Sequence, residues 1–138
     1  MKRLTSIQKT AQLENLPQFI DTITIQTRDL GFSSKRTGEI CLAVEESLVN
    51  IFNYAYNKDN LGLVTMILFL GDDDMLIIEI SDSGTPFNML SLEDPDITAE
   101  IEKRKIGGLG VFLVRKLMDN VTYQFENGKN ILTLYAKK

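Results

Sequence analysis

Apolar residues recur at helical spacing in the middle of the chain, over residues 39–56. At about 100° of turn per residue, Glu46, Asn50 and Asn53 fall on the side opposite the apolar stripe. The pattern predicts an amphipathic helix whose polar side is either solvated or part of a binding site. The apolar side collects Cys41, Val44, Leu48, Ile51, Phe52 and Ala55.

Two elements precede this helix. Weak alternation predicts a short edge strand over 3–10, and apolar residues at helical spacing predict a helix over 14–30. Pro17 is tolerated in the first turn of that helix, and Gly31 suits its C-terminal cap. Ser33 or Ser34 can cap the central helix, which is expected to end near Asn57.

The pattern changes to strands after the central helix. Residues 61–70 and 75–81 are β-like and flank a polar turn at 71–74, which predicts an antiparallel hairpin. The long connection that follows has one helical candidate at 97–103. A connection of this length is typical of a functional lid or of a disordered segment.

The C-terminal part predicts a helix over 111–118 and a last hairpin, formed by strands at 121–126 and 131–136 that turn at Asn127 and Gly128. The order of elements favours an α/β (α+β) two-layer sandwich. Its sheet is expected to be mixed and mainly antiparallel, with the helices on one face.

Composition narrows the functional classes. A chain of 138 residues with 43% hydrophobic residues predicts a single domain over 1–138. The net charge is −4 and the basic residues are dispersed, so we expect no direct nucleic-acid partner and no membrane surface. The chain has neither an apolar run long enough to span a membrane nor a signal-peptide core at its start. It is therefore expected to be cytoplasmic.

The chain has no histidine and one cysteine, Cys41. This excludes the common zinc sites and the Ser-His-Asp and Cys-His catalytic arrangements. Cys41 falls on the apolar helix side and is expected to be a buried thiol in a reducing compartment. Any chemistry must rest on carboxylates, amides, hydroxyls and the backbone.

The sequence Gly107-Gly108-Leu109-Gly110 opens the predicted helix at 111–118. Glycines at a helix N-terminus let the backbone approach an anion, and the free amides and the helix dipole favour negative charge. The motif is therefore either a phosphate cradle or an ordinary glycine-rich turn.

Asp82 stands at the end of a predicted buried strand, where a carboxylate needs a hydrogen-bond donor. That donor is either the amino group of an adenine or the backbone of the Asp-Ser-Gly turn itself. Gly84 would let the loop pass close to a base, which Pro86 and Phe87 would cover.

Asn50 offers an amide oxygen, a hard ligand suited to magnesium that also holds nucleotide phosphates. Glu46 lies one turn earlier on the same side and could accept a proton from an attacking hydroxyl. Glu45 is a weaker candidate for the base, because it lies about 100° round the helix from the Asn50 side.

Three motifs, in this order and separation, resemble the nucleotide-binding boxes of the GHKL (Bergerat-fold) ATP-binding superfamily. They are Glu46-x-x-x-Asn50, Asp82-x-Gly84-x-Pro86-Phe87 and Gly107-Gly108-Leu109-Gly110. Within that superfamily, the phrases LAVEESLVN, DSGTPF and GGLGVFLVRKLMD are similar to the bacterial anti-sigma factor serine kinases. The similarity covers essentially the whole length.

The resemblance implies that ATP lies between the central helix and the lid. It implies that Asn50 holds magnesium, that Glu46 is the catalytic base and that Asp82 binds the adenine amino group. The phosphates would meet Gly107, Gly108 and Gly110. The same site would include Asn53, Gly84, Phe87, Leu109 and Lys105.

The resemblance also implies an activity and partners. Such kinases phosphorylate a serine of a small anti-sigma antagonist protein, sequester a sigma factor and commonly work as homodimers. Two alternatives stay open: an ATP-binding partner-switch module with little or no kinase activity, and a histidine-kinase-type catalytic domain.

The chain departs from the family pattern at several positions. Tyr54 stands where many relatives have histidine, and Asn88 where many have aspartate. Arg104 and Lys105 are both candidates for contact with the terminal phosphate. The last strand lacks the Gly-Thr of many superfamily members, which leaves Asn130 or Thr133 as its substitute.

Overall fold

The computed structural model describes residues 1–91 and 108–138. The predicted helix at 97–103 lies outside the described residues, as do Arg104, Lys105 and Gly107. The other elements expected from the sequence all lie within the described ranges.

Within the described residues, five strands form one sheet in the order β1-β2-β3-β5-β4, and all four pairings are antiparallel. This confirms the predicted two-layer fold class, and β1 is an edge strand as expected. The strands are β1 Lys2–Thr10, β2 Leu63–Leu70, β3 Leu76–Asp82, β4 Asn120–Glu126 and β5 Lys129–Ala136.

The β4–β5 hairpin turns at the two predicted residues. Asn127 and Gly128 have φ angles of 55° and 76°. Two consecutive residues with positive φ are typical of the type I′ turn, whose twist matches that of the flanking strands. The turn pairs Glu126 with Lys129 and thereby sets the register of β5.

The three helices also follow the predicted signals. Pro17 lies in the first turn of α1, and Gly31 follows the helix with a φ of 85°. Ser33 caps α2, since its hydroxyl accepts a hydrogen bond from the Arg36 amide at 3.1 Å. The helices are α1 Leu16–Asp29, α2 Ser34–Tyr54 and α3 Gly108–Leu117.

One core joins the helices to one face of the sheet. Alternate side chains of β2, β3 and β5 are buried, whereas those between them are only half-buried in β3 and β5. The buried set includes Ile78 of β3, Ile23 of α1, Val44 of α2 and Val114 of α3. No helix within the described residues is long and apolar enough to cross a membrane.

Cys41 differs from the prediction of a buried thiol. Its side chain is half-buried and packs against the edge of the core. The sulfur lies 3.6 Å from the hydroxyl oxygen of Thr24 in α1.

Arg36, in the first turn of α2, connects three distant parts of the chain. Its guanidinium donates to the carbonyls of Lys137 at 2.7 Å and Leu117 at 2.6 Å, and to the Asp119 carboxylate at 2.7 Å. It also forms an ion pair with Glu39 at 3.1 Å. The bond to Leu117 satisfies a carbonyl at the end of α3, so Arg36 fixes α3 and the end of β5 against α2.

We predict that Arg36→Met lowers the free energy of unfolding by about 2–3 kcal/mol, because several charge-assisted hydrogen bonds are lost together. Lys35→Met is the matched control, since Lys35 is exposed and its replacement should change stability by less than about 0.5 kcal/mol. Urea unfolding at equilibrium measures both. Equal unfolding midpoints for the two variants would contradict the assigned role of Arg36.

Candidate functional site

A small pocket lies between α2, the end of β3 and the start of β5. Most of its lining is apolar and comes from all three elements and from the loop after β3. Such a lining suits a flat aromatic ligand. The apolar residues are Ile51, Ile80, Phe87, Met89 and Leu132.

Four polar side chains complete the lining of this pocket: Asn50, Asp82, Tyr123 and Asn130. Three of them are nearly fully buried, with exposed fractions of 3% for Asn50, 5% for Asp82 and 6% for Asn130. A small number of convergent polar groups in an apolar pocket is typical of a ligand-binding site.

Asp82 is the last residue of β3. Its side chain lies on the helix side of the sheet, as do the other buried side chains of that strand. Its Oδ1 atom accepts hydrogen bonds from the Gly84 amide and from Asn130 Nδ2, both at 2.9 Å. Burial raises the pKa of Asp82, and these two donors oppose that rise only in part. Asp82 therefore forms the turn bond to its own loop that the second interpretation expects, and it also lines the pocket.

Asn50 is buried, so the interpretation that it lies on the solvated side of α2 is wrong. Its Nδ2 atom has no hydrogen-bond partner among the described residues. An unpaired buried amide is costly unless a ligand completes its bonding. The side chain therefore fits a ligand that offers hydrogen-bond acceptors, such as phosphate oxygens, to Nδ2 while its amide oxygen is free to bind a cation.

Glu46 lies one turn before Asn50 and is half-buried. Burial raises the pKa of its carboxyl group, and the neighbouring Glu45 raises it further. A Cβ atom at Gly110 would lie 2.7 Å from Glu46 Oε2. The glycine at 110 thus lets the first turn of α3 pack beside this carboxylate.

The remaining predicted site residues are distributed unevenly. Asn53 is exposed and does not line the pocket, whereas Phe87 lines it and stacks on Tyr54 with 5.2 Å between ring centroids. Gly108, Leu109 and Gly110 lie in the first turn of α3, so this helix begins three residues before the predicted 111. Gly107 and Lys105 lie outside the described residues.

Gly84 packs directly on the end of α2. A Cβ atom at this position would lie 2.1 Å from the Ala55 carbonyl oxygen and 2.7 Å from the Ala55 Cβ atom. The same carbonyl accepts a hydrogen bond from the Thr85 amide at 2.8 Å. Glycine is required because the loop approaches the helix backbone too closely for any side chain.

Tyr56 was missed by sequence reasoning. Its hydroxyl donates to the Leu63 carbonyl at 2.8 Å and accepts from the Ser83 amide at 2.7 Å. Tyr56 thereby ties the segment after α2 both to β2 and to the loop that follows Asp82. Gly62 packs closely on the Tyr56 ring, since a Cβ atom at position 62 would lie 2.2 Å from it. This nearby glycine is the sequence feature that could have indicated the contact.

The choice between Asn130 and Thr133 is resolved by strand alternation. Residues 130, 132, 134 and 136 are buried on the helix side of β5, and Thr133 therefore lies on the other face. Asn130 pairs with Asp82 across the β3–β5 ladder, whereas Thr133 pairs with Glu79. Asn130 is the residue in the pocket.

Within the described ranges, no group of three or more His, Cys, Asp or Glu side chains could hold a metal ion by itself. Magnesium commonly takes one or two protein oxygens and completes its shell with substrate phosphates and water. The amide oxygen of Asn50 fits that kind of site.

Comparison with protein families gives a match over residues 9–136 to the family described as histidine kinase-like ATPase domain. Among curated proteins, the chain is 28% identical over 131 residues to the serine-protein kinase RsbW of Listeria monocytogenes serovar 1/2a, covering 89% of this chain and 83% of that protein. It is 35% identical over 103 residues to the serine-protein kinase RsbW of Staphylococcus aureus. That alignment covers 70% of this chain and 64% of the relative.

Two solved structures share the fold. The RsbU and RsbW domains of a Mycobacterium tuberculosis protein superpose with a TM-score of 0.67 at 13% identity, over 97% of this chain. The histidine kinase domain of a blue-light activated kinase from Erythrobacter litoralis gives a TM-score of 0.56 at 19% identity, over 89% of this chain. The chain spans 32% of the first structure and 59% of the second.

We predict that Gly84→Ala weakens ATP binding at least about tenfold, because the loop must move away from the Ala55 backbone and carries Asp82 and Phe87 with it. Isothermal titration with ATP measures the loss. Gly38→Ala is the matched control: no atom lies within 4 Å of its added Cβ, and alanine in the exposed face of α2 should stabilise the protein by about 0.5–1 kcal/mol. Unchanged affinity in Gly84→Ala would contradict the close packing assigned to this glycine.

We predict that Asp82 makes the ligand-free protein less stable as pH rises. Because its folded pKa is raised, the folded state holds the proton more tightly than the unfolded state. The resulting stability is present below the unfolded pKa of about 4 and is lost as pH rises through the folded value. Urea unfolding from about pH 3.5 to 7 should show a fall in wild type that is smaller in Asp82→Asn. Parallel curves for the two proteins would be inconsistent with a raised pKa at this site.

Proposed function

We propose that this chain, which belongs to the histidine kinase-like ATPase domain family, is an ATP-dependent serine protein kinase. Its substrate is a small anti-sigma antagonist protein with a phosphoacceptor serine, and it sequesters a sigma factor. The family match confirms the resemblance that the three motifs predicted. The similarity to proteins named serine-protein kinase RsbW supports the activity.

The observation that carries the proposal is the arrangement of polar groups around α2. The buried, unpaired amide of Asn50 and the carboxylate of Glu46 lie one turn apart, and the Glu46 carboxylate lies beside Gly110 of α3. Asp82 lines the same pocket as Asn50. A nucleotide whose base reaches Asp82 would have its phosphates near Asn50 and the start of α3.

The base end of the proposed site uses Asp82 as acceptor for the adenine amino group. The apolar side chains of Ile51, Ile80 and Leu132 line the same pocket and would pack against the ring. The loop with Gly84 and Phe87 would cover it, since Gly84 holds the loop against α2 and the Phe87 ring lines the pocket.

The phosphate end uses α3 and α2 together. The amides at 108 and 110 belong to the first turn of α3, where N–H groups and the helix dipole favour anions. Asn50 would hold magnesium through its amide oxygen, and the ion would neutralise charge on the phosphates. Gly107, Leu109, Lys105 and the exposed Asn53 complete the proposed set of nucleotide-contacting residues.

Glu46 is the proposed catalytic base. The serine oxygen of the partner attacks the terminal phosphorus of ATP, the bond to the bridging oxygen breaks, and ADP leaves. The serine proton passes to a Glu46 carboxylate oxygen. A pKa raised by burial suits this role, because the carboxylate is then a stronger base than one in water.

The proposal extends to assembly and location. A kinase that sequesters a sigma factor acts in the cytoplasm, where that partner is found, and we propose that this chain acts there as a homodimer. It acts directly on proteins, with neither nucleic acid nor a membrane as its partner. Residues 1–138 form the single domain responsible.

We predict that Glu46→Gln reduces phosphate transfer at least about 100-fold, because the serine proton loses its acceptor. Magnesium–ATP affinity should change by less than about threefold, since the amide keeps the size of the side chain. Glu45→Gln is the matched control: the adjacent acid is exposed and should leave both quantities near wild type.

The measurement mixes the protein with ATP labelled at the terminal phosphate and with antagonist-like candidates from the same genome. Labelled phosphoserine on a candidate supports the kinase. Nucleotide-dependent complex formation without label would instead identify a partner switch, and labelled histidine on a partner would identify a histidine kinase. Lack of any ATP binding, with or without magnesium, would overturn every version of the proposal.

A further inference from the structure

Asn130 is a polar residue at a core position. It is buried on the helix side of β5, in the same row as the apolar Leu132, Leu134 and Ala136. A buried amide in such a row destabilises the fold unless it is fully hydrogen-bonded. Its presence there therefore requires an explanation from its bonding.

The Asn130 amide forms four hydrogen bonds. Its Nδ2 atom donates to Asp82 Oδ1 at 2.9 Å and to the Thr85 carbonyl at 3.0 Å. Its Oδ1 atom accepts from the Phe87 amide at 3.0 Å and from the Tyr123 hydroxyl at 2.5 Å. Two donors and two acceptor positions are the full capacity of an asparagine side chain.

The orientation of this amide is fixed by its backbone partners. The Phe87 N–H can only donate and the Thr85 carbonyl can only accept, so a flipped amide would face both with the wrong group. Nδ2 must therefore point at Asp82. In this orientation the hydroxyl of Tyr123, from the neighbouring strand β4, donates a further hydrogen bond to Oδ1 and anchors the amide.

The bonding of Asn130 distinguishes the two carboxylate oxygens of Asp82. Oδ1 accepts hydrogen bonds from both Asn130 Nδ2 and the Gly84 amide. Among the described residues, Oδ2 receives no hydrogen bond. The protein thus occupies one oxygen and leaves the other as an acceptor in a pocket that Asp82 lines.

We infer that Asn130, oriented by the backbone of the loop after β3 and anchored by Tyr123, is a positioning residue that fixes Asp82 with Oδ2 presented to the ligand, and thereby sets a preference for purines with an amino group at position 6. The inference rests on the proposed function. A purine with a carbonyl at position 6 would place the carbonyl oxygen, an acceptor, against Asp82 Oδ2, which is also an acceptor. A site built around a hydrogen bond to one such group discriminates strongly against a ligand that lacks it.

The test compares dissociation constants for ATP and inosine triphosphate, which carries a carbonyl in place of the adenine amino group. Wild type should bind ATP more tightly. Asn130→Ala should reduce this preference about tenfold by weakening ATP binding, with little effect on inosine triphosphate. Tyr123→Phe, which removes only a hydroxyl and keeps the ring, should shift the ratio in the same direction by a smaller factor.

Thr133→Ala is the matched control, because it lies on the same strand but on the opposite face, and should leave the ratio at its wild-type value. A second readout is the pH dependence of ATP binding. The Asn130 hydrogen bond lowers the pKa of Asp82. Its removal should therefore move the loss of ATP binding at low pH to a higher pH.

The outcomes separate this inference from the proposed function. Equal weakening of both nucleotides in Asn130→Ala and Tyr123→Phe would show a purely structural role and overturn the inference. Equal dissociation constants of the wild-type protein for the two nucleotides would also overturn the inference, while the proposed ATP-dependent activity would stand. Wild type that binds neither would overturn both.

Discussion

The burial of one carboxylate constrains much of the site. Asp82 ends a central strand with almost no exposure, and an ion in that position is costly unless donors surround it. Its donors are the Gly84 amide and the Asn130 side chain. The first requires a turn that returns to the carboxylate, and the second requires β5 to be in register with β3. Loop conformation and strand pairing are therefore coupled through a single side chain.

The loop that satisfies Asp82 is in turn fixed to α2. Thr85 bonds to the Ala55 carbonyl, and Ser83 bonds to the Tyr56 hydroxyl. These contacts join the Asp82 end of the pocket to the helix that carries Asn50 and Glu46, so that Asp82 and these two residues cannot shift independently. Positioning of this kind matters for phosphoryl transfer, where most of the catalytic effect comes from orientation and electrostatics.

Local chemistry made much of the fold predictable from the sequence. The Asn127-Gly128 turn, the Ser33 cap and the glycine after α1 each depend on residues that are adjacent in the chain. The burial of Asn50 was not predictable in this way. A helical projection separates an apolar from a polar side, but α2 packs against the sheet and against α1 and α3, so part of its polar side is also buried. The contacts of Arg36 and Tyr56 were missed because their partners lie up to 101 residues away.

The two-residue turn between β4 and β5 has a consequence for how this protein can vary. Tips of surface hairpins usually tolerate insertions and deletions, since nothing packs on them. Here the tip lies two residues before Asn130, and side chains alternate between faces along the strand. A slip of one residue in β5 would turn the amide outward and bring Lys129 or Ile131, depending on its direction, against Asp82. The length of an exposed turn is therefore under the same selection as the buried carboxylate, although no atom of the turn belongs to the pocket.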